Sequence, residues 1–186
     1  MPSFGVILDA CVLIPAALRD TLLRTAAAAL YRLHWSEDIL AEVERNLVEH
    51  KMTSATGAKY VVGAMREAFP EADVDGYQCL IPAMANHEKD RHILAAAVVA
   101  GAQVIVTMNL KDFPDHALAP FGIEAQSPDE FLGNPFDLDP ELMTEIVKEQ
   151  AEDLANPPMS VDELLDGLAI QAPHFAELVR GFRHSC

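Results

Sequence analysis

The segment from Glu88 to Ala100 restricts the fold of this 186-residue chain more than any other stretch. After Arg91-His92 it runs Ile93-Leu94-Ala95-Ala96-Ala97-Val98-Val99-Ala100, without a polar side chain. A helix that is apolar around most of its circumference has to be buried on most sides. Its alanines let it lie close against a sheet, and Gly101 follows where a left-handed cap is wanted. Val104-Ile105-Val106 comes next, a short aliphatic run of the kind buried on both faces in parallel sheets. Phe4–Leu8 has the same character at the other end of the chain. Strands of this type alternating with helices predict an α/β fold with a parallel central sheet and right-handed crossovers.

Between these anchors the pattern predicts a helix over 15–33 and a short second strand at Leu33-His34-Trp35. Ser36 is a good N-cap, with Glu37 and Asp38 in the following first turn, where the helix dipole favours acids. That helix carries Ile39, Val43 and Leu47 on one face. A further helix over 54–69 stops before Pro70. Residues 70–86 read as loop, with a brief strand at Gln78–Ile81. Ile123-Glu124-Ala125 forms a last strand, and Ser127-Pro128 opens a short helix.

After Gly133 the style changes. A helix runs from Asp139-Pro140 to Leu154 and is broken at Asn156-Pro157-Pro158. Ser160-Val161-Asp162-Glu163 has the form of a capping box. Pro173 breaks the chain again, and the last helix places Phe175, Leu178, Val179 and Phe182 at i, i+3, i+4, i+7. Residues 137–186 hold eleven acids against three bases. The length suits one ordinary domain with a small helical appendage. The predicted division is an α/β domain over 1–132 and an acidic helical extension over 133–186, packed on it or offered to a partner.

Thirteen basic against 29 acidic residues give a net charge of −16. Such a balance argues against broad adhesion to nucleic acid or to anionic membrane. A local nucleic-acid site remains compatible with it, because divalent cations reverse the sign of an acidic cleft. Cys11, Cys79 and Cys186 are an odd number at irregular spacings with no CxxC pair, which points to a reducing compartment. Cys11, inside an apolar run, reads as a small buried hydrophobe and not as a nucleophile. The N-terminal residues lack the positive start of a signal peptide, and Asp9 and Arg19 interrupt the apolar stretch that follows. A cytoplasmic location without a membrane partner is expected.

Three acids are brought to one place by topology. Asp9 directly follows the first strand, at the sheet edge where open α/β sheets bind ligands. Asp112 lies in the loop after strand 104–106, on the same edge. Asp90 begins the long apolar helix, also at the mouth of the sheet if the crossover is right-handed. Crowded carboxylates of this kind stay partly protonated unless a cation intervenes, and hard oxygen donors suit Mg²⁺ or Mn²⁺. Each acid has a plainer reading. Asp90 could cap its helix and Asp112 could be a turn residue. Asp9 is the hardest to dismiss, because an acid ending a buried aliphatic strand is costly unless paired. Glu42 shares a helix face with Asn46 and Glu49 and competes with Glu37, Asp38 and Glu44, so a solvated face is an equal reading of it. His87 and His92 near Asp90 read as surface or packing residues. Arg91, Arg19 and Arg24 are weaker candidates for phosphate contact. No G-x-x-x-x-G-K-[ST], G-x-G-x-x-G or G-x-S-x-G pattern is present.

Four segments in order resemble the acidic motifs of PIN domains. They are Val6-Ile7-Leu8-Asp9-Ala10-Cys11-Val12-Leu13, then Trp35 to Val43 with Glu42 at the acidic position, then Lys89-Asp90-Arg91-His92-Ile93-Leu94-Ala95-Ala96-Ala97, then Val106-Thr107-Met108-Asn109-Leu110-Lys111-Asp112-Phe113. Order and spacing are similar to the family over residues 4–132, and the relatives most resembled are VapC-type toxins. The resemblance implies a PIN-like three-layer α/β/α fold and a metal-dependent endoribonuclease. Asp9 and Asp90 would be the principal Mg²⁺ or Mn²⁺ ligands, and Glu42 and Asp112 would contribute directly or through water. Thr107 and Asn109 would support the site, although residues that merely form the turn after a strand would look the same. An RNA substrate, a cognate antitoxin and a homodimer are further implications. Two other readings compete. A haloacid-dehalogenase-type phosphohydrolase would want a second Asp where Cys11 stands, and a PIN-like partner-binding module would keep the acids without catalysis.

Overall fold

Gly5–Leu8 (β1) is buried at every position, as a central strand covered on both faces must be. The computed structural model describes residues 4–155 and 157–185. Met1-Pro2-Ser3, Asn156 of the expected break and Cys186 lie outside the described residues. Four strands join β1: Arg32–Ser36 (β2), Asp73–Val74 (β3), Val104–Val106 (β4) and Glu124–Gln126 (β5). All pairings are parallel, in the order β3-β2-β1-β4-β5, with Ile7 set between His34 and Ile105. The parallel α/β architecture expected from the sequence is therefore present.

The helices, in chain order, are Ala10–Leu13 (α1), Ala16–Ala27 (α2), Glu37–Glu49 (α3), Ala55–Ala68 (α4) and Arg91–Ala100 (α5). Asp115–Leu118 (α6), Pro128–Leu138 (α7), Pro140–Asp153 (α8), Val161–Leu168 (α9) and Pro173–Ser185 (α10) follow. The contacts divide the chain into two compact units, Met1–Ile14 with Tyr31–Gln126, and Pro15–Leu30 with Ser127–Cys186.

The first unit holds the whole sheet. Helix α5 packs on β1 and β2 and buries Ile93 through Ala97, as its composition requires. Gly101 caps it at φ 63, a left-handed conformation that glycine adopts without steric cost. Ser36 Oγ accepts from Ile39 N–H at the start of α3, as expected of that N-cap. The strand expected at Gln78–Ile81 is absent. Gln78–Ala83 is a 3₁₀ helix with Pro82 inside it and no buried residue, and the extra strand is instead Asp73–Val74. Gly76, at φ 77, turns the chain away from the sheet between the two.

The second unit is all helical. The helix expected over 15–33 ends at Ala27, because Ala29 turns to φ 59 before the chain enters β2. Thr21 Oγ1 donates to Gln150 Oε1 (2.7 Å) and Gln150 Nε2 donates to the Ala17 carbonyl (2.9 Å). These bonds satisfy two buried polar side chains. The Phe136 ring meets Phe175 and Phe182 edge-on at 6.3 and 6.2 Å. The Asp129 carboxylate accepts from the N–H groups of His174 and Phe175, at the start of α10. Ser160 and Glu163 form the expected capping box at α9.

Candidate active site

The strand order creates a crevice. From β1 the chain crosses towards β2, and from β4 it crosses towards β5 on the opposite side, so neighbouring β1 and β4 diverge at their C-terminal ends. Ligands of open α/β sheets bind at such switch points. Asp9 leaves β1 there and Thr107 leaves β4 beside it, both buried. Asp9 N–H donates to the Val106 carbonyl (3.1 Å), so the backbone fixes the acid at the sheet edge.

Two side chains hold the Asp9 carboxylate. Thr107 Oγ1 donates to Oδ2 at 2.6 Å, and Cys11 Sγ donates to the same oxygen at 3.2 Å. Thr107 Oγ1 in turn accepts from Asn109 N–H at 3.0 Å, which ties the loop after β4 to the site. Cys11 Sγ accepts from Met108 N–H at 3.3 Å. Burial, and then the Asp9 charge, push the Cys11 thiol up to about 12, so it stays protonated and serves as a donor. Cys11 thus contributes a polar contact as well as volume.

Next to this pair opens a cavity of about 800 Å³ whose lining includes Glu42, Asp90, Asn109 and Asp112. Asp90 occupies the N-cap position of α5, yet its side chain makes no capping hydrogen bond. Its carboxyl is pushed up to about 6 from the ordinary 3.8, first by burial, then by the charges of Asp9 and Asp112, against an opposing effect of His87, and last by Glu42. Four carboxylates supplied by β1, α3, the turn before α5 and the loop after β4 therefore share one electrostatic environment. Glu42 reaches it while its neighbours are engaged elsewhere. Glu37 pairs with Arg66, and Asp38, on the cavity wall, accepts from the Tyr77 hydroxyl at 2.7 Å.

The donor chemistry suits a hard divalent cation, because crowded carboxylates without a compensating charge are what such an ion neutralises. His87 also belongs to this wall. It is half exposed, as expected of a surface residue, but one donor atom from each of His87, Asp90 and Asp112 lies within 4.8 Å of the other two. Arg45, Lys89 and Lys111 line the same cavity. The sequence singles out none of Arg45, Lys89 and Lys111 as a site residue, and it reads His87 as a surface or packing residue. The only signal for His87 was its position three residues before Asp90.

Comparison with known proteins agrees with this geometry. Residues 5–111 match the family model described as "PIN domain", and residues 128–181 match the model described as "VapC50 C-terminal domain". Over 105 residues the chain is 49% identical to "Putative ribonuclease VapC50" of Mycobacterium tuberculosis (strain ATCC 25618 / H37Rv). That alignment covers 56% of this chain and 62% of the relative. No solved structure matches. With more than half of its residues matching one family model, and with acids gathered at the mouth of a parallel sheet, the chain belongs to the PIN domain family.

Proposed function

We propose that this protein is a metal-dependent endoribonuclease and the toxin of a toxin–antitoxin pair. The observation that carries the reading is the convergence of Asp9, Glu42, Asp90 and Asp112 on the crevice between β1 and β4. Membership of the PIN family and the printed name of the mycobacterial relative point the same way. Asp9 and Asp90 are the principal ligands for Mg²⁺ or Mn²⁺ in this reading, with Glu42 and Asp112 contributing directly or through water. A cation held there supplies Lewis acidity, making water a better nucleophile and offsetting the charge that builds on the phosphate.

The protein's own groups do the positioning. Thr107 and Cys11 fix one Asp9 oxygen before substrate arrives, so the carboxylate is preorganised. Thr107, Asn109 and the loop they anchor keep Asp112 on the same rim. Arg45, Lys89 and Lys111 are exposed on the cavity wall, and among the described residues none of them forms an ion pair. Arg24, Arg66, Lys148, Arg180 and Arg183 are all paired with acids. Unpaired cations beside an acidic cleft suit the phosphates flanking the scissile bond, which they would hold in register without reading sequence.

Residues 1–132 carry the nuclease in this reading, and 133–186 are the helical extension. A cognate antitoxin would neutralise the site by inserting a basic side chain into the acidic cavity. The cytoplasm and a homodimer complete the proposal. No helix among the described residues is long and apolar enough to cross a membrane. The test is cleavage of RNA by the wild type and Asp9→Asn, each with Mn²⁺ and with chelator. Activity confined to the wild type with Mn²⁺ is expected, and equal cleavage by the variant would overturn the mechanism. Recovery of the natively expressed chain without a second small protein would count against the toxin assignment.

A further inference from the structure

His87 stands in the turn that opens α5, and the main chain fixes its place among the acids. Its N–H donates to the Asp112 carbonyl at 3.0 Å, and its own carbonyl accepts from Asp90 N–H at 2.9 Å. The two loops that supply Asp90 and Asp112 are thus joined through the backbone of His87. Its ring Nδ1 lies 3.7 Å from Asp90 Oδ2.

Nδ1 accepts from Lys89 N–H at 3.4 Å. A ring nitrogen that accepts presents a lone pair, as a metal ligand must. One ring nitrogen of His87 and one carboxylate oxygen from each of Asp90 and Asp112 lie within 4.8 Å of one another. Ligand atoms about 2.1 Å from a cation stand about 3 Å apart at right angles and about 4 Å apart when opposed. The observed 3.7 Å lies between these values. Among hard cations Mg²⁺ takes oxygen almost exclusively, whereas first-row transition ions accept imidazole nitrogen beside carboxylate.

We propose that His87 is a metal ligand of this centre, which makes it a mixed nitrogen–oxygen site that selects a transition cation of the Mn²⁺ class over Mg²⁺. The inference rests on reading the cavity as a metal centre. It adds a residue and a selectivity that four carboxylates alone would not give.

Mn²⁺ on the full chain is the probe. Pulsed electron paramagnetic resonance should find ¹⁴N coupling to bound Mn²⁺ in the wild type, absent in His87→Ala and His87→Asp and retained in His92→Ala. Calorimetry should find Mn²⁺ binding weakened at least about tenfold in His87→Ala. Mg²⁺ binding should stay within about twofold of the wild type. Fluorescence of Trp35, the single tryptophan, checks that each variant is folded. Mn²⁺ bound in an Asp90-dependent manner without ¹⁴N coupling would overturn the role of His87 and leave the carboxylate centre intact. Coupling lost in His92→Ala but kept in His87→Ala would overturn it as well. A wild type that binds no Mn²⁺ would overturn the metal centre itself, and the ligand with it.

Discussion

Asp90→Asn should stabilise the metal-free protein at neutral pH. Asp90 is mostly buried, with 19% of its side chain exposed, and shares its cavity with three other acids. The variant keeps the shape and removes one charge. In the folded protein the Asp90 carboxyl is pushed up to about 6 from 3.8, with burial the largest cause. A rise of about two units corresponds to a ceiling of about 3 kcal/mol at 1.36 kcal/mol per unit. The cavity is open to water, and screening should reduce this to about 1–2 kcal/mol.

The sign follows from proton counting. Between about pH 4 and pH 6 the folded state holds the Asp90 proton more tightly than the unfolded chain does, so this group's contribution to stability falls as pH rises through that window. Below it Asp90 costs nothing, and above it the full penalty applies. The difference between Asp90→Asn and wild type should therefore be near zero at pH 4 and reach its full value by pH 7. Urea unfolding in chelator measures it. Trp35 is buried in the sheet unit that contains Asp90, so its fluorescence reports that unit's transition. A midpoint for the variant at pH 7 that equals or falls below the wild type would refute the reasoning, because it would mean that Asp90 is already compensated without metal.

Thr107→Val keeps the shape and deletes the hydroxyl that donates to Asp9 and accepts from Asn109. It should cost about 1–3 kcal/mol in the same urea assay, because buried polar groups lose their partners. Replacing Arg45, Lys89 and Lys111 together by Gln should weaken binding of single-stranded RNA. It should also flatten the plot of log affinity against log salt by about 0.7 per lost phosphate contact, read by fluorescence anisotropy in an Asp9→Asn background with chelator. An unchanged salt slope would remove those three side chains from the RNA path.

The fold was legible where burial is complete and local. Val6-Ile7-Leu8 and Val104-Ile105-Val106 are interior, as is α5 from Ile93 to Ala97, while Val99 near its end is exposed. Legibility failed where a non-local partner decides. Asp73-Val74 has no strand signature of its own and is held extended by pairing with Trp35 and Ser36. Leu80-Ile81 looks like the better strand, but it lies half-buried in a 3₁₀ helix and pairs with no strand. The end of α2 was equally hidden. Ala26 to Ala29 favour helix by propensity, and only the need to return the chain into β2 turns Ala29 to positive φ.

The candidate site divides along the same line. Asp9 could be argued from its own surroundings, since an acid closing a buried strand requires partners, and Thr107 and Cys11 are those partners. Asp90 and Asp112 followed once the sheet was parallel, because the edge they share is a property of topology. Glu42 could not be separated from Glu37, Asp38 and Glu44 by spacing. The distinction comes from contacts made later in the chain, where Arg66 and Tyr77 engage the first two and leave Glu42 to face the cavity. His87 is the extreme case, because its place depends on a backbone bond to Asp112 that no local pattern encodes. In this fold, then, the residues most exposed to misreading are those whose role is set by loops meeting across the mouth of the sheet. The selectivity of the centre rests on such a residue if His87 binds the metal.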